Sequence, residues 1–228
     1  VERDNSLNVK TGFAATEFSF DNDAEKEGKL GATAMVIEGG GTKLCIVSCD
    51  VVCLEREIVD EICKKLENEL GIPVDNILIS ATHTHSGPSI NDPAFISALN
   101  DAVFSAVSKA NDLLHTSNKS EMYFWLGQEA TVGQNSRLLL SDSTIYWYGR
   151  RSDAIRPTGT YDPELPVIVF KNGNNILEGA IFNHSTHNIG ARESGVLSPA
   201  FYGLAAQELE EEFGGKFLFL LGAAGSVH

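Results

Sequence analysis

Apolar residues recur along the chain with two periods. Alternation or short apolar runs mark strands near residues 31–38, 43–49, 76–82, 121–126, 165–170, 176–183 and 216–221, most of them rich in β-branched side chains. Between the second and third of these, Ile58, Ile62, Leu66 and Leu70 recur at helical spacing, and Gly71 and Pro73 follow as stop signals. This segment reads as a strand-helix-strand unit. A second helix is predicted from about Pro93 to Leu114. A third starts at Ser198-Pro199, with serine as N-cap and proline at the first helical position, and runs to about Phe213. Strands joined by a crossover helix run parallel, so the strand ending at Asp50 and the one ending at His83 open on the same sheet edge. That carboxyl edge is where α/β proteins place ligands. The expected fold is therefore α/β, a mixed and partly parallel β-sheet sandwich with flanking helices. No repeat, low-complexity tract or long linker divides residues 1–228, so a single domain is expected. The loosest stretch is the Arg/Ser/Asp/Pro/Gly-rich segment from about Gly149 to Asp162.

Charge narrows the partners. The chain has 31 acidic against 17 basic residues, a formal net charge of -14, which argues against nucleic acid and predicts repulsion from anionic membranes. No run approaches the roughly 20 apolar residues of a transmembrane helix. The four cysteines, Cys45, Cys49, Cys53 and Cys63, crowd into one segment without a C-x-x-C pair, and read as small buried hydrophobes. Cys45 and Cys49 share a strand face but lie too far apart along it for a disulfide. Asn118 and Asn183 open N-x-S triplets, which carry meaning only in a secreted eukaryotic chain.

The candidate chemistry lies in the histidines. In ILISATHTHSGPS, residues 77–89, His83 and His85 continue the row Ile77, Ile79, Ala81, so on a continuing strand both rings point to one face. Two readings fit: the rings cap strand-end backbone groups, or they supply one or two ligands to a zinc ion. A second cluster, FNHSTHNIG, also follows an apolar strand. There His184 and His187 have opposite parity, so only one faces a shared pocket. His115, at the polar end of a predicted helix, reads as a surface residue. Asp50, at the end of the adjacent strand, is suited to accept a hydrogen bond from a metal-bound imidazole and fix its tautomer.

In order along the chain, CDVVCL, ILISATHTHSGP, GQNSR, YDPELPVIVF, NHSTHN and FLLGAAGSVH resemble the neutral/alkaline ceramidase family and its bacterial relatives, with SATHTHSGP the most specific motif. The resemblance implies a zinc-dependent hydrolase that cleaves an amide bond, in an N-acyl-sphingosine-like or another N-acyl substrate, with a metal-activated water. It implies His83 and His187 as zinc ligands, since Asn183 to His187 keeps the family spacing N-x-x-x-H while Asn188 replaces the proline that follows. His85 then orients the water or binds substrate, and Arg137 in GQNSR matches a substrate-contacting arginine. Two departures stand out. Ser226 occupies the place of the family's aspartate, and His228 that of its serine, which makes Ser226 a candidate substrate-binding residue and His228 a candidate acid/base. The family's glutamate and tyrosine ligands lie beyond residue 228, so a downstream polypeptide is expected to complete the site. The resemblance favours a secreted or periplasmic protein with a small-molecule or lipid substrate. A non-catalytic ligand-binding relative, or a metallohydrolase acting on a polar non-lipid substrate, remains the alternative.

Overall fold

The computed structural model describes residues 9–116 and 119–228, so Asn118 lies outside the described residues. The first sheet is built from β1 (Lys10–Glu17), β2 (Gly31–Gly39), β3 (Thr42–Cys49) and β4 (Ile77–Ala81), in that spatial order. β1, β2 and β3 pair antiparallel, and β3 pairs parallel with β4 across α1 (Arg56–Leu70). The helix stops where the sequence predicts it, at Gly71, whose φ of 67° is left-handed and whose N–H donates to the Glu67 carbonyl. α1 and α2 (Pro93–Thr116) cover one face of this sheet, burying Ile58, Ile62, Leu66, Leu99 and Val103 against Ala34, Val36, Cys45 and Val47.

The second sheet has the order β11 (Lys216–Leu221), β10 (Leu177–His184), β9 (Glu164–Asn172), β5 (Ser120–Gln128), with β10 and β11 parallel and the other pairs antiparallel. It packs on the free face of the first sheet through Phe13, Met35, Phe170, Ile181 and Leu218. Strand alternation sends Phe219 to the other side, where Tyr202 of α3 (Ala200–Phe213) stacks on it at 3.7 Å. Pro199 occupies the flanking position of α3 rather than its first helical one, and the Ser198 hydroxyl accepts from the Ala200 N–H at 3.0 Å. The expected mixed sandwich with flanking helices is the observed fold.

The pattern along the chain does not predict four strands. β1 is one; the others form a small antiparallel sheet, β7 (Ile145–Tyr146), β6 (Leu138–Leu140), β8 (Ala154–Pro157), in that spatial order. Of the cysteines, Cys45, Cys49 and Cys63 are buried but Cys53 is exposed, because it follows β3 in a loop outside the helix-covered face. All four are free. Asn183 lies within β10, its side-chain amide donating to the Leu220 carbonyl. Among the described residues no helix is long and apolar enough to cross a membrane.

Candidate metal centre

β4 ends at Ala81, so His83 and His85 do not continue its row; they stand on the loop that follows, and His83 takes a left-handed φ of 63°. Backbone bonds fix that loop: Thr82 N–H donates to the Cys49 carbonyl and His83 N–H to the Val51 carbonyl. The parallel pairing of β3 and β4 thus carries on beyond the strand ends and holds His83 over the residues that follow β3. His184 and His187 separate as their parity predicts. His184, the last residue of β10, is buried, its ring bonded to the Tyr202 hydroxyl at 2.7 Å and the Glu129 carbonyl at 3.1 Å. His187 reaches the other loop. There its Nε2 lies 3.0 Å from Nε2 of His85, which in turn lies 3.3 Å from Nε2 of His83.

Asn188 locks the two histidine loops together. It is fully buried, its side-chain amide donates to the carbonyls of Thr82 and Pro199, and its own carbonyl accepts from the His85 N–H. Gly190, at φ 114°, lets the second loop close on the first, since a Cβ there would stand 2.4 Å from the Ser86 hydroxyl oxygen.

His83, His85 and His187 could together hold a metal ion, their ligand nitrogens all within 4.8 Å of one another. Two of the rings are braced from behind. Nδ1 of His83 donates to the Val52 carbonyl at 2.6 Å, and Nδ1 of His187 to the Ala224 carbonyl at 3.3 Å. A proton fixed on Nδ1 leaves the lone pair on Nε2, the atom that faces the cluster. Desolvation and then the neighbouring rings of His83 and His187 hold the His85 pKa below the ordinary histidine value. Desolvation does the same for His187, opposed by its bond to Ala224 and aided by His83 and Arg137. Both rings are therefore neutral, with lone pairs available, at neutral pH.

No family model matches the sequence. Solved structures do match the fold. The crystal structure of neutral ceramidase from Pseudomonas aeruginosa aligns with 98% of this chain at a TM-score of 0.79 and 20% sequence identity. A ceramidase complexed with C2 aligns with 97% at a TM-score of 0.80 and 20% identity. The fold is that of neutral ceramidase. The chain spans 40% and 39% of the lengths of these two structures.

On this ceramidase fold, the remaining sequence candidates surround the histidines unevenly. His228 stacks on His187 with ring centroids 4.4 Å apart, and its Nδ1 is 3.0 Å from the Ser136 hydroxyl. Desolvation first, then His187, Arg137 and His85, lower its pKa as well. Arg137 donates to the carbonyls of Trp147 (2.8 Å) and Gly225 (2.9 Å) and to the Ser136 hydroxyl, and its guanidinium lies 3.5 Å from the Trp147 ring centroid. It clamps the loop before β6 to the last turn of the chain. Ser226 contributes its carbonyl, which accepts from both the N–H and the hydroxyl of Ser136. The sequence gives no signal for Ser136, Asn188 or the carbonyls of Val52 and Ala224, since carbonyl acceptors exist at every residue.

Asp50 stands apart from the imidazoles. The role expected of it behind a ring is filled by the Val52 carbonyl, because the Asp50 side chain turns toward Gly31 and Thr82 instead. Its Oδ2 accepts from the Gly31 N–H at 3.0 Å and its Oδ1 from the Thr82 hydroxyl at 3.3 Å. Both face a cavity of about 410 Å³ that Gly203 and Phe219 also line. Burial pushes the carboxyl up from 3.8 to about 7 even though both donors pull it down. In the unfolded chain the group ionises near 3.8, so the fold is favoured at low pH and loses that advantage as pH rises toward 7. The full gap corresponds to at most about 4 kcal/mol. Asp50→Asn keeps one acceptor for Gly31 and can donate to Thr82, so it should stabilise the protein by about 2–4 kcal/mol at pH 8 and leave it nearly unchanged at pH 4. Urea unfolding at the two pH values measures this; an equal effect at both would show that the carboxylate charge is not the cause.

Proposed function

We propose that this chain is the histidine-bearing part of a zinc-dependent hydrolase that cleaves amide bonds in N-acyl, N-acyl-sphingosine-like substrates. The observation that carries the reading is the convergence of three imidazole Nε2 atoms, two with Nδ1 pinned by carbonyls, on a ceramidase fold. Ligand nitrogens around a tetrahedral zinc lie about 3.3 Å apart, given bonds of about 2.0–2.1 Å; the spacings of 3.0 and 3.3 Å are those from His85 to the other two rings, and all three ligand nitrogens lie within 4.8 Å of one another.

His83 and His187 are the better ligands, because each has its second ring nitrogen fixed by a protein acceptor. His85, the most exposed of the three, is left to orient a water or a substrate amide. The bound ion would supply an acidified water and polarise the amide carbonyl. His228, neutral at working pH and oriented by Ser136, is placed to accept or return a proton at its ring nitrogen. Further ligands are proposed to come from polypeptide beyond these residues. A second reading makes His85 the third ligand, favoured by its contacts with both other rings.

The test is zinc content together with release of fatty acid from a fluorescent N-acyl substrate, for parent and His85→Ala. The proposal expects His85→Ala to keep its zinc and lose turnover roughly 100-fold. Loss of zinc along with turnover would move His85 into the ligand set. Zinc-loaded protein that binds the substrate without cleaving it would replace the hydrolase with a ligand-binding relative.

A further inference from the structure

The three-stranded sheet contributes little to the core, with Leu140 its buried residue, yet it and the loop after β7 display large apolar side chains to solvent: Ile145 is 65% exposed, Ile155 62%, Trp147 72% and Tyr148 51%. Strand register places Ile145 and Arg156 on either side of Leu139, hence on one face, and Trp147 follows β7 directly. The Arg137 guanidinium covers one side of the Trp147 ring, and Tyr148 lies 4.8 Å from the His228 ring. The patch is therefore continuous with the histidine site.

Its charge runs against that of the chain. Four of the seven arginines, Arg137, Arg150, Arg151 and Arg156, fall between residues 137 and 156, against Asp142 and Asp153, in a protein of net charge -14. Arg151 is paired with Asp153 at 2.8 Å, which leaves Arg150 and Arg156 exposed against Asp142. Tryptophan and tyrosine have an apolar body with a polar edge, and arginine has an apolar stem with a charged head. Exposed together, these residues suit the boundary between lipid headgroups and acyl chains.

We propose that this hairpin face docks on an anionic lipid surface, with Trp147 and Ile145 entering the headgroup region and Arg150 and Arg156 meeting lipid phosphates. The chain-wide acidity still opposes approach elsewhere, so it orients the molecule with this face, and the histidine site beside it, toward the lipid. The proposal concerns binding alone and does not require the hydrolase to turn over.

The chain has two tryptophans, so Trp125→Phe leaves Trp147 as the sole tryptophan, selectively excited at the red edge of the absorption band. In that background, the protein is mixed with phosphatidylcholine vesicles with or without phosphatidylglycerol. The expected result is a blue shift and quenching by lipids brominated near the headgroup, on the anionic vesicles and weakened by salt. Arg150→Gln/Arg156→Gln, two exposed changes that leave the core untouched, should weaken binding roughly 30-fold. Four results would overturn the proposal: no binding, equal binding to neutral vesicles, binding without quenching of Trp147, or binding unchanged in the double variant. So would a blue shift that follows protein concentration without lipid and coincides with dimer formation in sedimentation, which would assign the face to a second copy of the chain.

Discussion

His187→Ala and His83→Ala are each expected to lose bound zinc and to cut amide hydrolysis roughly a thousandfold or more, while His115→Ala changes neither. The two proposed ligands come from different sheets, His83 from the loop after β4 and His187 from the loop after β10. Removing one leaves the other braced by its own carbonyl, so the loss reflects the missing nitrogen rather than collapse of the site. His115 is in the last turn of α2 and exposed, which makes it the appropriate control. Elemental analysis after dialysis, read beside turnover, checks the prediction; full zinc in either variant would place the metal elsewhere. Acidity should act in the same direction. Because desolvation lowers the pKa of His187, protonation of this proposed ligand should set in below the ordinary histidine value of 6.5. A dialysis series across that range gives the midpoint.

The sequence carries the elements that lead to this site more clearly than the site itself. Helical spacing through Ile58, Ile62 and Leu66, ended by Gly71, identifies the crossover, and the crossover dictates parallel strands opening on one edge. What period-2 reasoning misses is where β4 stops. Extending the strand to His85 aligns the two histidines by parity, whereas the chain brings them together by a turn at His83 with positive φ. The two routes reach similar proximity by different geometry. Parity serves better at His184 and His187, where β10 does run to His184 and one ring is consumed by Tyr202.

Long-range pairing explains the other differences. β1, with sequence KTGFAATE, has too few large apolar residues to show alternation, and it is a strand because β2 pairs with it along its whole length. β6, β7 and β8 have three, two and four residues, too short for any period to register. Asn188, which stands where the resembled family has proline, reads in sequence as a departure. In the fold its side-chain amide donates to the Thr82 and Pro199 carbonyls, bonds for which the proline ring has no donor.

The largest loss of stability is expected at Gly12→Ala, which should destabilise the fold by about 2–4 kcal/mol and lower the melting temperature by roughly 5–15 °C. Strand propensity points the other way, since alanine loses less backbone entropy than glycine on folding. Packing decides the sign. β1 lies so close under α2 that a Cβ at residue 12 would stand 1.9 Å from the Ala110 carbonyl oxygen and 3.0 Å from the Leu113 Cβ. The first of these is helix backbone, so no rotamer change relieves it, and α2 must lift from the sheet whose other contacts bury Leu99, Val103 and Val107. Gly173→Ala is the control: its Cβ would meet nothing within 4 Å, and it should melt with the parent. Within the first sheet, β1 is the edge strand opposite β4, the strand that leads to His83. Below its melting temperature, Gly12→Ala should therefore keep the parent's zinc content. Equal melting temperatures for the two glycine variants would mean that α2 does not sit this close to β1. Loss of zinc in folded Gly12→Ala would mean instead that the helix layer transmits its position across the sheet to the histidine loops.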